Sequence, residues 1–112
     1  MQLDKQKKLI LKYFRYFNNK DITRLSNTLS KRVHLKDWEI DVIGQRNVIN
    51  ANKKIFKQFP KIKVTIIKIY YFENTIFAII KVKLNMKKTI QVIDQFKINK
   101  NYLIKEIRAY LG

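Results

Sequence analysis

From Ile62 onward the chain offers only strands. Ile62, Val64 and Ile66 alternate with polar residues, a period of two that marks a half-buried strand. The apolar register then passes to Ile67, Ile69 and Tyr71, a one-residue slip of the kind a bulge in a curved sheet produces. Further strands are predicted over 76–84, 88–98 and 103–111, with turns at Glu73–Asn74, Asn85–Lys87 and Asn99–Asn101. Connections this short join antiparallel neighbours. The second half of the chain is thereby restricted to a four-strand meander that has to bury one face on something else.

The first half supplies the cover. Ile10, Tyr13, Phe14 and Phe17 are spaced as one face of a helix over about 5–18, with Lys8, Lys12 and Arg15 turned away. A turn at Asn18–Asp21 follows, and Asp21 is placed to cap a short second helix running through Ile22 and Leu25 to about Leu29. Val33 and Leu35 alternate with His34 and Lys36, which predicts a short strand that bends near Trp38 into a second one at 39–43, ended by Gly44. A third helix is predicted over about 47–58, with Val48, Ile49, Ala51, Ile55, Phe56 and Phe59 on its apolar side and Pro60 closing it. Helices followed by strands indicate an α+β layer. The expected shape is a cone-shaped curved antiparallel β-sheet packed on three N-terminal helices and enclosing a pocket. At 112 residues the chain is expected to be a single domain, 1–112.

Three residues break these patterns in the same way. In KKTIQVIDQFKI the inward row Ile90, Val92, Phe96, Ile98 is interrupted by Asp94. A carboxylate in a core row must keep its proton or find a partner, because an isolated buried charge is too costly. The row of Val33 and Leu35 likewise runs on into Asp37, and Tyr13 places a hydroxyl on the buried side of the first helix. Helix wall, strand end and sheet floor would bring a hydroxyl and two carboxyls together in an apolar cavity, as in a small-molecule site. Its apolar lining is expected from Phe14, Phe17, Trp38, Ile55, Phe59, Phe96 and Tyr110. Asp94 in mid-strand lies deeper than Asp37, so desolvation is expected to keep it neutral.

Composition narrows the chemistry. The chain has no cysteine and one histidine, His34, which points away from Asp37; disulfides, thiolate chemistry and a conventional transition-metal site are not expected, and no cofactor is implied. No apolar run approaches the length needed to span a bilayer, and MQLDKQKKLILKYF lacks the features of a signal peptide, so the expectation is a cytoplasmic protein without membrane attachment. The net charge of +17 would attract nucleic acid. However, 20 of the 25 basic residues are Lys, spread over every segment, and Lys, Ile and Asn, all with A/T-rich codons, make up 48 of 112 residues. Without a recognition motif beside the charge, nucleic acid is not an expected partner. A small apolar molecule is expected instead, together with a homodimer formed through the sheet, whose strands are apolar on both rows.

The order of elements, with YFNNKDITRLSNTL, VHLKDWEI, VIDQF and IRAY, resembles the cystatin-like nuclear transport factor 2 superfamily in its SnoaL-like branch, over 7–112. The spacing is more specifically similar to ketosteroid isomerases. In those enzymes a catalytic Tyr lies eight residues before the Asp of the turn between the first and second helices, a base Asp sixteen residues after it, and a second Asp ends a VID triplet. Tyr13, Asp21, Asp37 and Val92–Ile93–Asp94 stand at those places here. The resemblance implies Asp37 as general base, with Tyr13 and a protonated Asp94 as the oxyanion hole. It departs at Trp38, near Lys54 and at Leu111, where the isomerases have Pro, Tyr and Trp, so the pocket is lined differently. Two functions follow: cofactor-independent proton abstraction next to a carbonyl, of the isomerase or polyketide-cyclase kind, or a non-catalytic small-ligand-binding or dimerisation module of the same fold.

Overall fold

The computed structural model describes residues 2–112. Helix α1 spans Gln2–Asn18 and α2 spans Ile22–Asn27; strands β1 (Leu29–Lys36) and β2 (Asp41–Ile43) precede helix α3 (Gln45–Gln58). Strands β3 (Lys63–Phe72), β4 (Thr75–Lys83), β5 (Thr89–Ile98) and β6 (Ile104–Leu111) complete the chain. The six strands form one sheet in the order β2-β1-β6-β5-β4-β3. The last four are the expected antiparallel meander, and β1 joins its β6 edge in parallel, so the sheet is mixed. That pairing is long-range and has no short turn to announce it.

Local chemistry sets most of the boundaries. Asp21 caps α2 by accepting from the Arg24 backbone N–H at 3.1 Å. The predicted extension of α2 to Leu29 does not occur. The Thr28 backbone N–H and hydroxyl both donate to the Leu25 carbonyl, closing the helix, and Leu29 is already paired with Ile104 in the sheet. Asn85 and Asn99 each accept two backbone N–H bonds across their own turns, as Asn side chains do in tight connections. The slip between Ile66 and Lys68 in the β3–β4 register is the bulge that the change of apolar row predicts.

The core lies between the helices and one face of the sheet. Register places its side chains in cross-strand rows: Ile66–Ile80–Val92–Leu111, then Ile69–Ala78–Asp94–Ala109, then Tyr71–Ile76–Phe96–Ile107. The outer two rows are branched or aromatic. In the middle row both neighbours of Asp94 are alanines; Ala78 is fully covered, and Ala109 keeps some exposure. Helix α1 is held over this face by Asn18, whose amide donates to the Val64 carbonyl at 2.9 Å and whose carbonyl accepts from the Val64 N–H at 2.7 Å.

Candidate active-site cavity

Between α1, α3 and the sheet lies a cavity of about 430 Å³. Tyr13, Asp37 and Asp94 all line it, so the structure brings together the three residues singled out in the sequence. Tyr13 comes from the C-terminal half of α1. Its ring packs edge-on against Phe14 at 5.2 Å and Phe96 at 5.5 Å, which fixes where the hydroxyl can point. Asp94 stands on β5 between Ala78 and Ala109. Tyr13 and Asp94 are only 6% and 8% exposed, and what remains opens onto the cavity.

Asp37 is held differently. It follows the last residue of β1, and its backbone N–H donates to the Ile40 carbonyl at 2.8 Å. Its Oδ1 accepts from the backbone N–H groups of Glu39 at 2.7 Å and Ile40 at 2.6 Å. An Asp that organises its own turn in this way has its carboxylate orientation set by backbone rather than by another side chain. One oxygen is committed, and the side chain remains half-buried at the cavity edge.

The electrostatics separate the two acids. Burial, and after it the negative charge of Asp37, push the Asp94 carboxyl up to about 7 from 3.8. Burial, and after it the charge of Asp94, push the Tyr13 phenol well above its ordinary value, so it stays a neutral donor. Each group thus feels the next, and near neutrality the floor of the cavity carries a hydroxyl and a carboxyl that shares its proton between states.

The apolar lining matches the expectation in part. Phe14, Phe17, Ile55 and Phe59 line the cavity, and Trp38 does so at the rim, 47% exposed. Phe96 does not. It points inward as predicted, but Tyr13 and Phe14 cover it completely, and it serves as the support beneath the Tyr13 ring. Tyr110 is also corrected. It pairs with Ile93 on the opposite face of β6, 48% exposed, and its neighbours Ala109 and Leu111 are the ones that reach the cavity.

Sequence reasoning overlooked Asn52, which lines the cavity from α3. The signal was available, since Asn52 falls one turn from Val48 and Ile55 on the apolar side of the helix, the kind of interruption that marked Asp94.

No family model matches the chain, and no curated protein matches its sequence. Solved structures do match. A nuclear transport factor 2-like protein of unknown function from Cytophaga hutchinsonii superposes with a TM-score of 0.81 at 18% identity, over 96% of this chain and 89% of its own. The chain has the nuclear transport factor 2-like fold. A proposed ketosteroid isomerase from Kribbella flavida has a TM-score of 0.83 at 12% identity, covering 97% of this chain and 78% of its own. A proposed SnoaL-like polyketide cyclase from Jannaschia has a TM-score of 0.85 at 11% identity, covering 97% and 86%. This chain therefore shares its architecture with proteins assigned to isomerase and cyclase chemistry; at such identities, what is shared is the fold.

Proposed function

We propose that the cavity catalyses cofactor-independent proton abstraction next to a carbonyl on a small, largely apolar substrate, as in isomerisation or cyclisation through an enolate. The observation that carries this reading is the convergence, in one apolar cavity, of a backbone-oriented carboxylate, a phenol and a buried carboxyl whose pKa is pushed up to about 7. Asp37 removes the carbon-bound proton with the oxygen its turn leaves free. Tyr13 and protonated Asp94 donate hydrogen bonds to the oxyanion as charge moves onto the substrate oxygen. Donors fixed in place before the reaction are typically the largest contribution to such catalysis. The proton held by Asp37 then returns to another carbon of the same conjugated system, which completes an isomerisation without any cofactor.

The reading is tested with an activated β,γ-unsaturated ketone, following the rise in absorbance of the conjugated product. Wild type should turn it over, and Asp37→Asn, which keeps the shape but removes the base, should lower kcat by at least about a hundredfold, the lower end for a lost general base. Ligand binding without turnover, unaffected by Asp37→Asn, would leave a non-catalytic binding module as the function.

A further inference from the structure

Asn52 is buried to 3% exposure on α3, and its amide nitrogen has no hydrogen-bond partner among the described residues. It is neither a cap nor a turn residue; it stands in the interior of a helix of 14 residues. An unpaired buried amide is a standing penalty that natural structures rarely keep without a reason. The surrounding apolar side of α3, including Val48, Ile49 and Phe56, would accept a Leu in its place. The residue also lines the cavity, from the wall opposite the floor that carries Asp94, but the nitrogen itself has no surface open to it, so a half-turn of the amide is what brings the donor to a ligand.

We infer that Asn52 is a specificity-determining residue that pairs with a second oxygen function of the ligand, so that the preferred substrate carries a carbonyl or hydroxyl in addition to the carbonyl held by Tyr13 and Asp94. The inference rests on reading the cavity as a ligand site. The chemistry of an amide suits this role: it presents a donor at one end and an acceptor at the other, and a half-turn exchanges them, so it serves either a carbonyl or a hydroxyl. A ligand with one oxygen leaves Asn52 unpaired when bound; a ligand with two removes that penalty. A site with a buried polar group discriminates against the analogue that lacks the partner. The cavity is apolar along most of its lining, its further polar side chains Glu39, Gln58 and Lys88 being solvent-exposed residues, and thus selects a substrate that is oxygenated at two places.

The test compares β-naphthol with the isomeric dihydroxynaphthalenes, whose fluorescence reports binding to the whole chain, in wild type, Asn52→Leu and Asn52→Ala. In wild type at least one dihydroxy isomer should bind roughly tenfold more tightly than β-naphthol, the discrimination expected of one hydrogen bond to a buried group. Asn52→Leu should abolish that preference and melt at or above the wild-type temperature without ligand, because it removes an unpaired polar group. Equal affinities for all the naphthols in wild type, or a preference that survives both substitutions, would overturn the inference, and so would a lower melting temperature in both variants, which would make Asn52 structural. A preference lost in the variants while no ketone is turned over would sink the enolising reading alone; turnover that needs Asp37, with no such preference, would sink this inference alone.

Discussion

At the scale of single residues the decisive one is Asp94, because its burial couples stability to pH. Its folded value of about 7 lies above the 3.8 of an ordinary Asp, so between those pH values the native state holds a proton that the unfolded chain has lost. Stability therefore falls as pH rises through that window and levels off above about 7. At about 1.4 kcal/mol per pH unit the full loss is roughly 4 kcal/mol. Asp94→Asn cannot ionise and still donates a hydrogen bond, so it should unfold with little pH dependence over the window and be more stable than wild type at pH 8, measured by urea denaturation. The same substitution should remove the fall in any turnover above pH 7, which arises when the Asp94 donor loses its proton. That Asp94, Asp37 and Tyr13 were visible in the sequence has a simple cause: a polar group in an apolar row violates the period of its element, and the row can be counted. The pairing of Asp37 with its own turn could not be counted, since it depends on the backbone path from Asp37 to the Glu39 and Ile40 N–H groups rather than on spacing.

At the scale of elements, strand register sets what stands beside Asp94. Ala78 and Ala109 flank Asp94 across β4 and β6, while the rows before and after are filled by Ile, Val, Leu and Phe side chains. Ala109 lines the cavity, and the two methyl groups added in Ala109→Val would occupy space beside the carboxyl. We predict that this variant folds with wild-type stability but binds β-naphthol roughly tenfold or more weakly, the effect of a small steric change in an apolar pocket; binding unchanged by the substitution would place the ligand elsewhere. Which side of a strand a residue faces was legible for most of the sheet, the bulge at Ile66–Lys68 included, because two apolar rows separated by a slip of one leave a clear pattern. Tyr110 was misplaced although parity was available: it falls in the row of Glu106 and Arg108, whereas Ile107, Ala109 and Leu111 form the apolar row. Phe96 shows the complementary limit. Its side of the strand was right, but depth beneath Tyr13 depends on how α1 crosses the sheet, a tertiary relation with no sequence period. The parallel β1–β6 pairing escaped for the same reason.

At the scale of the whole molecule, the helices cover one face of the sheet and leave the other open. On that open face Ile79, Ile93 and Tyr110 lie in one cross-strand row, and Tyr70 and Phe77 lie in the next. Tyr70 and Tyr110 are about half exposed and Ile79, Ile93 and Phe77 are partly so. Lys68 completes the first row and Gln95 and Arg108 the second, so the apolar patch has a polar border, the make-up of a candidate association surface. The charge works against association, since two chains of +17 repel one another. These opposing terms make a prediction with a definite sign. If the apolar row drives a homodimer through the open face, raising salt screens the repulsion without weakening hydrophobic burial, so the dimer should tighten between about 50 and 500 mM salt. An interface made of ion pairs would loosen over the same range, as would any complex of the basic surface with nucleic acid. Ile93→Lys places a further charge in the middle of the patch, while its neighbours Val92 and Asp94 still face the core and the cavity. Sedimentation equilibrium should show a dimer that strengthens with salt in the wild type and a folded monomer in the variant. A wild-type chain that sediments as a 13.6 kDa monomer at micromolar concentration in high salt would remove the sheet-to-sheet dimer.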